Sequence, residues 1–442
     1  MRACPFLAVL LLSWSSACVG GASGTRDVHA ARRSESPEAW FAAARVAYDP
    51  GNPREAMTPK LVGSFADARI VGIGEATHGT HEDVWFKSEL VLALVDAGLV
   101  DTIYLEANHS GVAQLDELVR SGAGDARAAL KAAPIFRVLK TEAVLACVEG
   151  LRERARRGVR VRLVGVDCQD STRDAERALR ILERRDVALA AMFRAKLEPL
   201  VGAEAQALRH PQLVRGMDLA TLDALSDELA RLQAACADAP EAAAAALRAW
   251  QGLKAFRIEA RDAPREDDID GYNLRDRYMA QNVLADGHRG AFLGHNCHVL
   301  AGRPGGNLEG YVPAGAVLHE ALGERYRVVL FDYNAARIRA VPMPTDGSPP
   351  DALAADEILA RGPLEGSLAD ATCRGAEGAH WIDLRGLPPR WSAWHERVIH
   401  ADWLGYAASR ERQGQEVLSF PFARLGDVLV VIDELGASRP LE

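Results

Sequence analysis

Ile70-Val71-Gly72-Ile73-Gly74-Glu75-Ala76-Thr77-His78-Gly79 sets a short aliphatic run directly against a carboxylate and an imidazole. A run of this length and composition, closed by glycine, reads as a buried strand. Glu75 and His78 therefore fall where strand gives way to loop. The arrangement recurs at Gly290-Ala291-Phe292-Leu293-Gly294, followed by His295-Asn296-Cys297-His298, and at Thr102-Ile103-Tyr104-Leu105-Glu106. Ligands of α/β sheets bind beyond the carboxyl ends of the strands. Glu75, His78, Glu106, His295 and His298 are thus predicted to converge on one site.

Outward from these stretches, strands alternate with helical patterns. Helix is predicted over 82–97, 112–121 and 141–157, and a strand over 160–166 ends on Asp167. Between about 174 and 260, Ala, Leu, Arg and Glu dominate at helical spacing without strand punctuation, which reads as a helical subdomain. Alternation resumes with helix 272–286, strand 291–293, helix 314–322 and strand 326–331; further strands are expected over 378–384 and 427–432. The fold class is α/β, a mainly parallel sheet flanked by helices with an inserted helical subdomain. The expected layout is a leader over 1–24, a linker over 25–38, a core from 39–170 and 271–442, and the subdomain over 171–270.

The 442 residues carry a net charge of −9, with 48% hydrophobic and 26% charged side chains. The acidic balance and the absence of a basic tract exclude nucleic acid, whose binding rests on cationic contacts to phosphate. Arg2, an apolar core over 6–12 and small residues at Ser15-Ser16-Ala17-Cys18 form a secretory leader, which predicts export. Cys18 also fits a lipoprotein cleavage site, so a membrane-anchored lipoprotein and a periplasmic or secreted protein are both expectations. Nothing later reaches the ~20 apolar residues of a spanning helix. Cys147, Cys168, Cys236, Cys297 and Cys373 show no Cys-x-x-Cys spacing and are expected as free thiols.

A histidine with a carboxylate three residues earlier suits a general base whose tautomer and cation the carboxylate stabilises. His78 and Glu75 would activate water, with His295 and His298 donating to a developing oxyanion or protonating the leaving oxygen. No Gly-x-Ser-x-Gly elbow supplies a serine nucleophile. The alternative is a metal-dependent hydrolase or peptidase with Glu75, His78, His295 and His298 holding Zn²⁺, Mn²⁺ or Fe²⁺; without that metal no cofactor is expected. His81 and Glu82 are expected in a first helical turn, where Glu82 favours the helix dipole. His109 is a candidate for the mouth of the site, weighed against a surface-loop histidine. Trp391, Trp394, His395 and Trp403 read as core aromatics before a ligand platform.

The element Gly74-Glu75-Ala76-Thr77-His78-Gly79-Thr80-His81-Glu82, the Leu105-Glu106 strand end, Arg275-Asp276-Arg277-Tyr278-Met279-Ala280-Gln281-Asn282 and His295-Asn296-Cys297-His298 resemble the erythromycin esterase family. The resemblance runs from about Ala39 onward. It implies an α/β core with a helical insertion, a deep cleft between them, and hydrolysis of a carboxylic ester or lactone by histidine-activated water. It implies His78 as general base, Glu75 as its acidic neighbour, Glu106 as second carboxylate, and His295 and His298 as later site histidines. The family's arginine twelve residues after the first glutamate is here Lys87, which keeps the charge and loses the planar fork. Substrate contact is expected there, and the expected partner is a small-molecule ester or lactone.

Overall fold

The computed structural model describes residues 36–203, 205, 213, 216–256, 269–343, 355–391, 396–403, 405, 407–408, 417–422 and 426–441. The leader with Cys18, most of the linker, and Trp394 and His395 lie outside the described residues.

Twelve strands are described: β1 Val46–Tyr48, β2 Ile70–Ile73, β3 Thr102–Asn108, β4 Arg162–Asp167, β5 Gly290–Leu293, β6 Tyr326–Pro342, β7 Glu357–Arg361, β8 Ala379–Asp383, β9 Val398–Ala401, β10 Ala407–Ala408, β11 Leu418–Pro421 and β12 Val428–Leu435. Ten form one sheet in the order β1-β8-β12-β6-β2-β5-β3-β4, with β7 and β10 attached to β6, while β9 and β11 pair separately. The stretch from β12 to β4 is parallel. All four residues of β2 are buried, as expected of a strand covered on both faces.

Register explains why the ionisable residues meet. Ile73 pairs with Leu293, Leu293 with Leu105, and Leu105 with Gly165. Glu75, His295, Glu106 and Asp167 therefore all stand one or two residues beyond a single line across four parallel strands. In β3 the register shifts between Leu105 and Asn108, a bulge at Glu106 of the kind that re-aims side chains beside sites. Asn296 locks the arrangement: its amide donates to the Phe331 carbonyl at 2.7 Å, its oxygen accepts from the Phe331 N–H, and its own N–H reaches the Glu75 carbonyl at 2.9 Å. A Cβ on Gly74 would lie 2.0 Å from the Asn296 oxygen, so this strand end admits only glycine.

The helices that concern the site are α1 Glu82–Asp96, α2 His109–Ser121, α3 Glu142–Arg156, α4 Ser171–Glu183, α5 Val187–Lys196, α6 Leu219–Ala235, α7 Pro240–Phe256, α8 Ile269–Asp286, α9 Asn296–Val299 and α10 Ala314–Leu322. Helices α4 to α7 enclose a hydrophobic cluster of their own, including Leu179, Phe193, Leu225, Leu229 and Leu253, apart from the cluster that covers the sheet. No described helix is long and apolar enough to cross a membrane. Helix α1 forms where it was predicted, and ten of its residues are buried, Asp83 and Lys87 among them, because it packs between the sheet and α3.

Strand β6 exceeds its expected span by eleven residues. Its outer half alternates, with Ala336, Ile338 and Ala340 buried against more exposed Arg337 and Arg339, and it pairs with β7. This outer half and residues 436–438 grip the loop after His78. Gly79 has φ 81°, and a Cβ there would meet the Arg339 carbonyl oxygen at 1.9 Å. The Gly79 carbonyl accepts from Arg339 N–H at 3.0 Å and Ser438 N–H at 2.8 Å, and His81 N–H donates to Gly436. Glu82 does not simply cap its helix: its carboxylate accepts from Gly436 N–H at 2.6 Å. Gly79→Ala should therefore lower the urea midpoint by the equivalent of about 2 kcal/mol or more. An unchanged midpoint would show that the Arg339 strand gives way instead.

Candidate active site

Glu75 sits in the loop after β2 with both oxygens engaged, one by His78 Nδ1 and the other by Lys87 Nζ. Burial pushes its carboxyl up, but the Lys87 ammonium and then His78 outweigh burial and hold it at about 2. The His78 side chain keeps 17% exposure against 6% for Glu75, so the imidazole is the more accessible of the pair and the carboxylate the more deeply buried. With Nδ1 bonded to Glu75, Nε2 is left to accept a proton. The His295 ring lies 5.0 Å from the His78 ring, tilted by 55°.

His295 precedes α9, and its Nδ1 accepts from Cys297 N–H at 3.4 Å. That contact assigns its proton to Nε2, a buried atom with no hydrogen-bond partner. Burial drives the His295 pKa down to about 3, with the neighbouring His78 adding to the effect. It is a neutral donor at any physiological pH.

Glu106 accepts from Arg275 Nη2 at 2.7 Å, from His298 Nε2 at 3.2 Å and, through its other oxygen, from His295 N–H at 2.9 Å. Burial raises its carboxyl, but His298 and Arg275 bring it well below the usual range. Arg275, on α8, also forks onto both oxygens of Asp167 at 2.9 and 2.8 Å. His298 Nδ1 meets Asp276 at 2.8 Å, and Tyr311 donates to the same carboxylate at 3.1 Å. Burial depresses His298, yet Asp276 and Glu106 prevail and lift it to about 10. His298 then carries both protons, so its 3.1 Å approach to Arg275 Nη1 is a meeting of two cations. Three carboxylates, Glu106, Asp167 and Asp276, surround that meeting and balance it.

The structure thus gathers Glu75, His78, Lys87, Glu106, His295 and His298 into one buried constellation. His109 is not part of it. It opens α2 rather than a loop, and its pKa falls to about 3 through burial and then through Arg248 and Arg177, which belong to α7 and α4. His81 is largely buried and stacks on Trp85 at 5.6 Å, and its Nδ1 has no hydrogen-bond partner. Trp403 is buried against Phe420 at 5.2 Å, and Trp391 packs on Trp40 at 6.5 Å, both as core aromatics. The five described cysteines are free thiols. Arg275 stood in a quoted motif without a role, and Asp276, Tyr311 and Asn296 were not singled out. The adjacent Arg-Asp pair one helix before the His295 strand was the available signal.

Two of the four residues weighed as metal ligands have their donor atoms engaged within the protein. Glu75 has given its oxygens to His78 and Lys87, and His298 its nitrogens to Asp276 and Glu106. Among the described residues no group of three or more His, Cys, Asp or Glu side chains is arranged to hold one.

Residues 100–435 match the family described as erythromycin esterase. The chain belongs to that family. This places it among hydrolases of the esterase type acting on small molecules. The match starts after the His78 loop. A Bacillus cereus protein superposes with TM-score 0.74 at 18% identity, covering 93% of this chain and 98% of that one. A succinoglycan biosynthesis protein gives 0.73 at 16%, over 95% and 99%. A histidine-to-asparagine mutant of erythromycin esterase EreC in its open conformation gives 0.63 at 17%, over 90% and 99%. At such identities these three establish the fold. No curated protein matches the chain.

Because Glu75 is held below its ordinary 4.5, its pairing contributes stability above that pH. The contribution is lost as pH falls from 4.5 to about 2. Glu75→Gln should be less stable at neutral pH and show a flatter decline across that window in urea titrations. Parallel declines for variant and parent would remove the assignment.

Proposed function

We propose that this member of the family hydrolyses carboxylic esters, lactones included, by water that His78 activates without a covalent intermediate. The observation that carries the reading is the Glu75–His78 pair facing the His295 ring across 5.0 Å. His78 Nε2 takes a proton from water as the oxygen attacks the ester carbonyl, and Glu75 stabilises the imidazolium that results. The unpartnered Nε2–H of His295 is placed to donate to the oxyanion. The tetrahedral intermediate collapses as His78 returns its proton to the departing alkoxide, which leaves acid and alcohol. A low pKa suits His295 to this work, since a donor that stays neutral does not compete for the proton.

In this reading Glu106 and His298 position rather than react. Glu106 holds the His295 backbone, and His298 with Arg275 holds Glu106. Lys87 fixes the far oxygen of Glu75 where the family has arginine, a single ammonium in place of a fork. The substrate class we favour is a small ester or lactone met outside the cytoplasm, consistent with the leader and with Cys18 as a possible lipid anchor.

His78→Ala should lower hydrolysis of aryl esters and macrolide lactones by about 10²–10⁴-fold with the fold intact by circular dichroism. Near-normal turnover would sink the mechanism. Turnover in the parent should survive a chelator; loss to chelator and recovery with a divalent ion would return the site to metal chemistry. Lys87→Arg should alter the ranking of substrates in the same panel, and an unchanged ranking would show that this position does not select them.

A further inference from the structure

A second carboxyl is buried beside Glu75, and the reaction above makes no use of it. Asp83, in the first turn of α1, has no exposed surface. Its Oδ1 accepts from the Thr80 hydroxyl at 2.7 Å and from Val84 N–H at 2.8 Å. Its Oδ2 is buried with no hydrogen-bond partner, as is the phenol oxygen of Tyr48. The Tyr48 ring packs at 5.2 Å on Phe86 of the same helix. Among the described residues, the charged and titratable groups that bear on Asp83 are Glu75 from the loop, Lys87 one turn along α1, Tyr48 from β1 and Tyr333 from β6. Lys87 is the one cation among them, and it is bonded to Glu75. Two buried carboxyls thus compete for a single ammonium that is already committed to one.

We propose, resting on the hydrolase reading, that Asp83 is a positioning residue whose proton sets the charge on the Glu75–His78 pair. Protonated, Asp83 leaves Lys87 wholly to Glu75. Ionised, it adds a negative charge behind the pair and draws on Lys87, so Glu75 binds the His78 imidazolium more strongly. Environments that push two neighbouring carboxyls apart mark a division of roles between them. Here burial first, and then the charge on Glu75, lift Asp83 to about 7 while Glu75 stays at about 2. The exchange falls within the range where an exported enzyme works.

The test uses the full mature chain with ¹³C-labelled carboxyls. Glu75 is ionised throughout the neutral range, so its Cδ resonance reports charge changes around it. A step near pH 7 is expected in the parent, retained in His78→Ala and lost in Asp83→Asn, whose side-chain oxygen still accepts from Thr80 and Val84. Absence of the step in the parent, or its persistence in Asp83→Asn, overturns the proposal. Should Asp83→Asn fail to fold, the Cγ resonance of Asp83 itself decides: a midpoint near neutrality supports the proposal, and one in the ordinary carboxylate range overturns it. Thr80→Val separates charge from loop anchoring. It should keep the step, and its loss there would reduce Asp83 to a pin for the loop. In hydrolysis, the acid limb of kcat/KM should move down by about half a pH unit or more in Asp83→Asn. If His78→Ala hydrolyses like the parent, the esterase reading fails, while the carboxyl step is still read independently of turnover.

Discussion

Arg275 carries the charge balance on which the site depends. Parallel strands with matched register bring Glu106, Asp167 and the His295 loop to one edge, where they are largely buried. A buried guanidinium that forks onto Asp167 and also reaches Glu106 turns that accumulation of acid into a bonded lattice. His298 extends the lattice to Asp276, and Asp276 binds Ala314 N–H at the head of α10. The cost of burying these groups is met by mutual pairing. Removing any one of them would leave another unpaired.

The two halves of the site follow different physics. Around Arg275 the carboxylates and cations pair with one another inside the protein, so the geometry is stiff. Around His78 and His295 one imidazole keeps exposure and the other has an unanswered nitrogen. A buried polar atom without a partner is rare in folded proteins, and here it belongs to the ring beside the more exposed imidazole. The stiff half therefore serves as a foundation for the half left incomplete.

Much of this was legible in the sequence because strand ends are local signals. A short aliphatic run, a glycine and an ionisable residue read the same way at Glu75, Glu106 and His295, and the sheet put all three on one edge. Helix 314–322 was likewise bounded correctly by its own composition. What could not be read were long-range partners. Nothing near Arg275 in sequence points to Asp167, 108 residues away. Asp83 was not singled out, because the groups around it come from the loop and from β1. His109 looked like loop because the strand before it bulges and passes into helix without a break. The outer half of β6 was missed although its alternation was present, since alternating arginines with small residues resemble a surface segment.

The grip on the His78 loop has a temporal side. Glu82 and Gly436, which close it, stand 354 residues apart, so local folding alone cannot complete the active centre. A growing chain carries His78 on an untethered loop until the downstream stretch has been made and has docked. The His78 loop is therefore among the last parts of the fold to close.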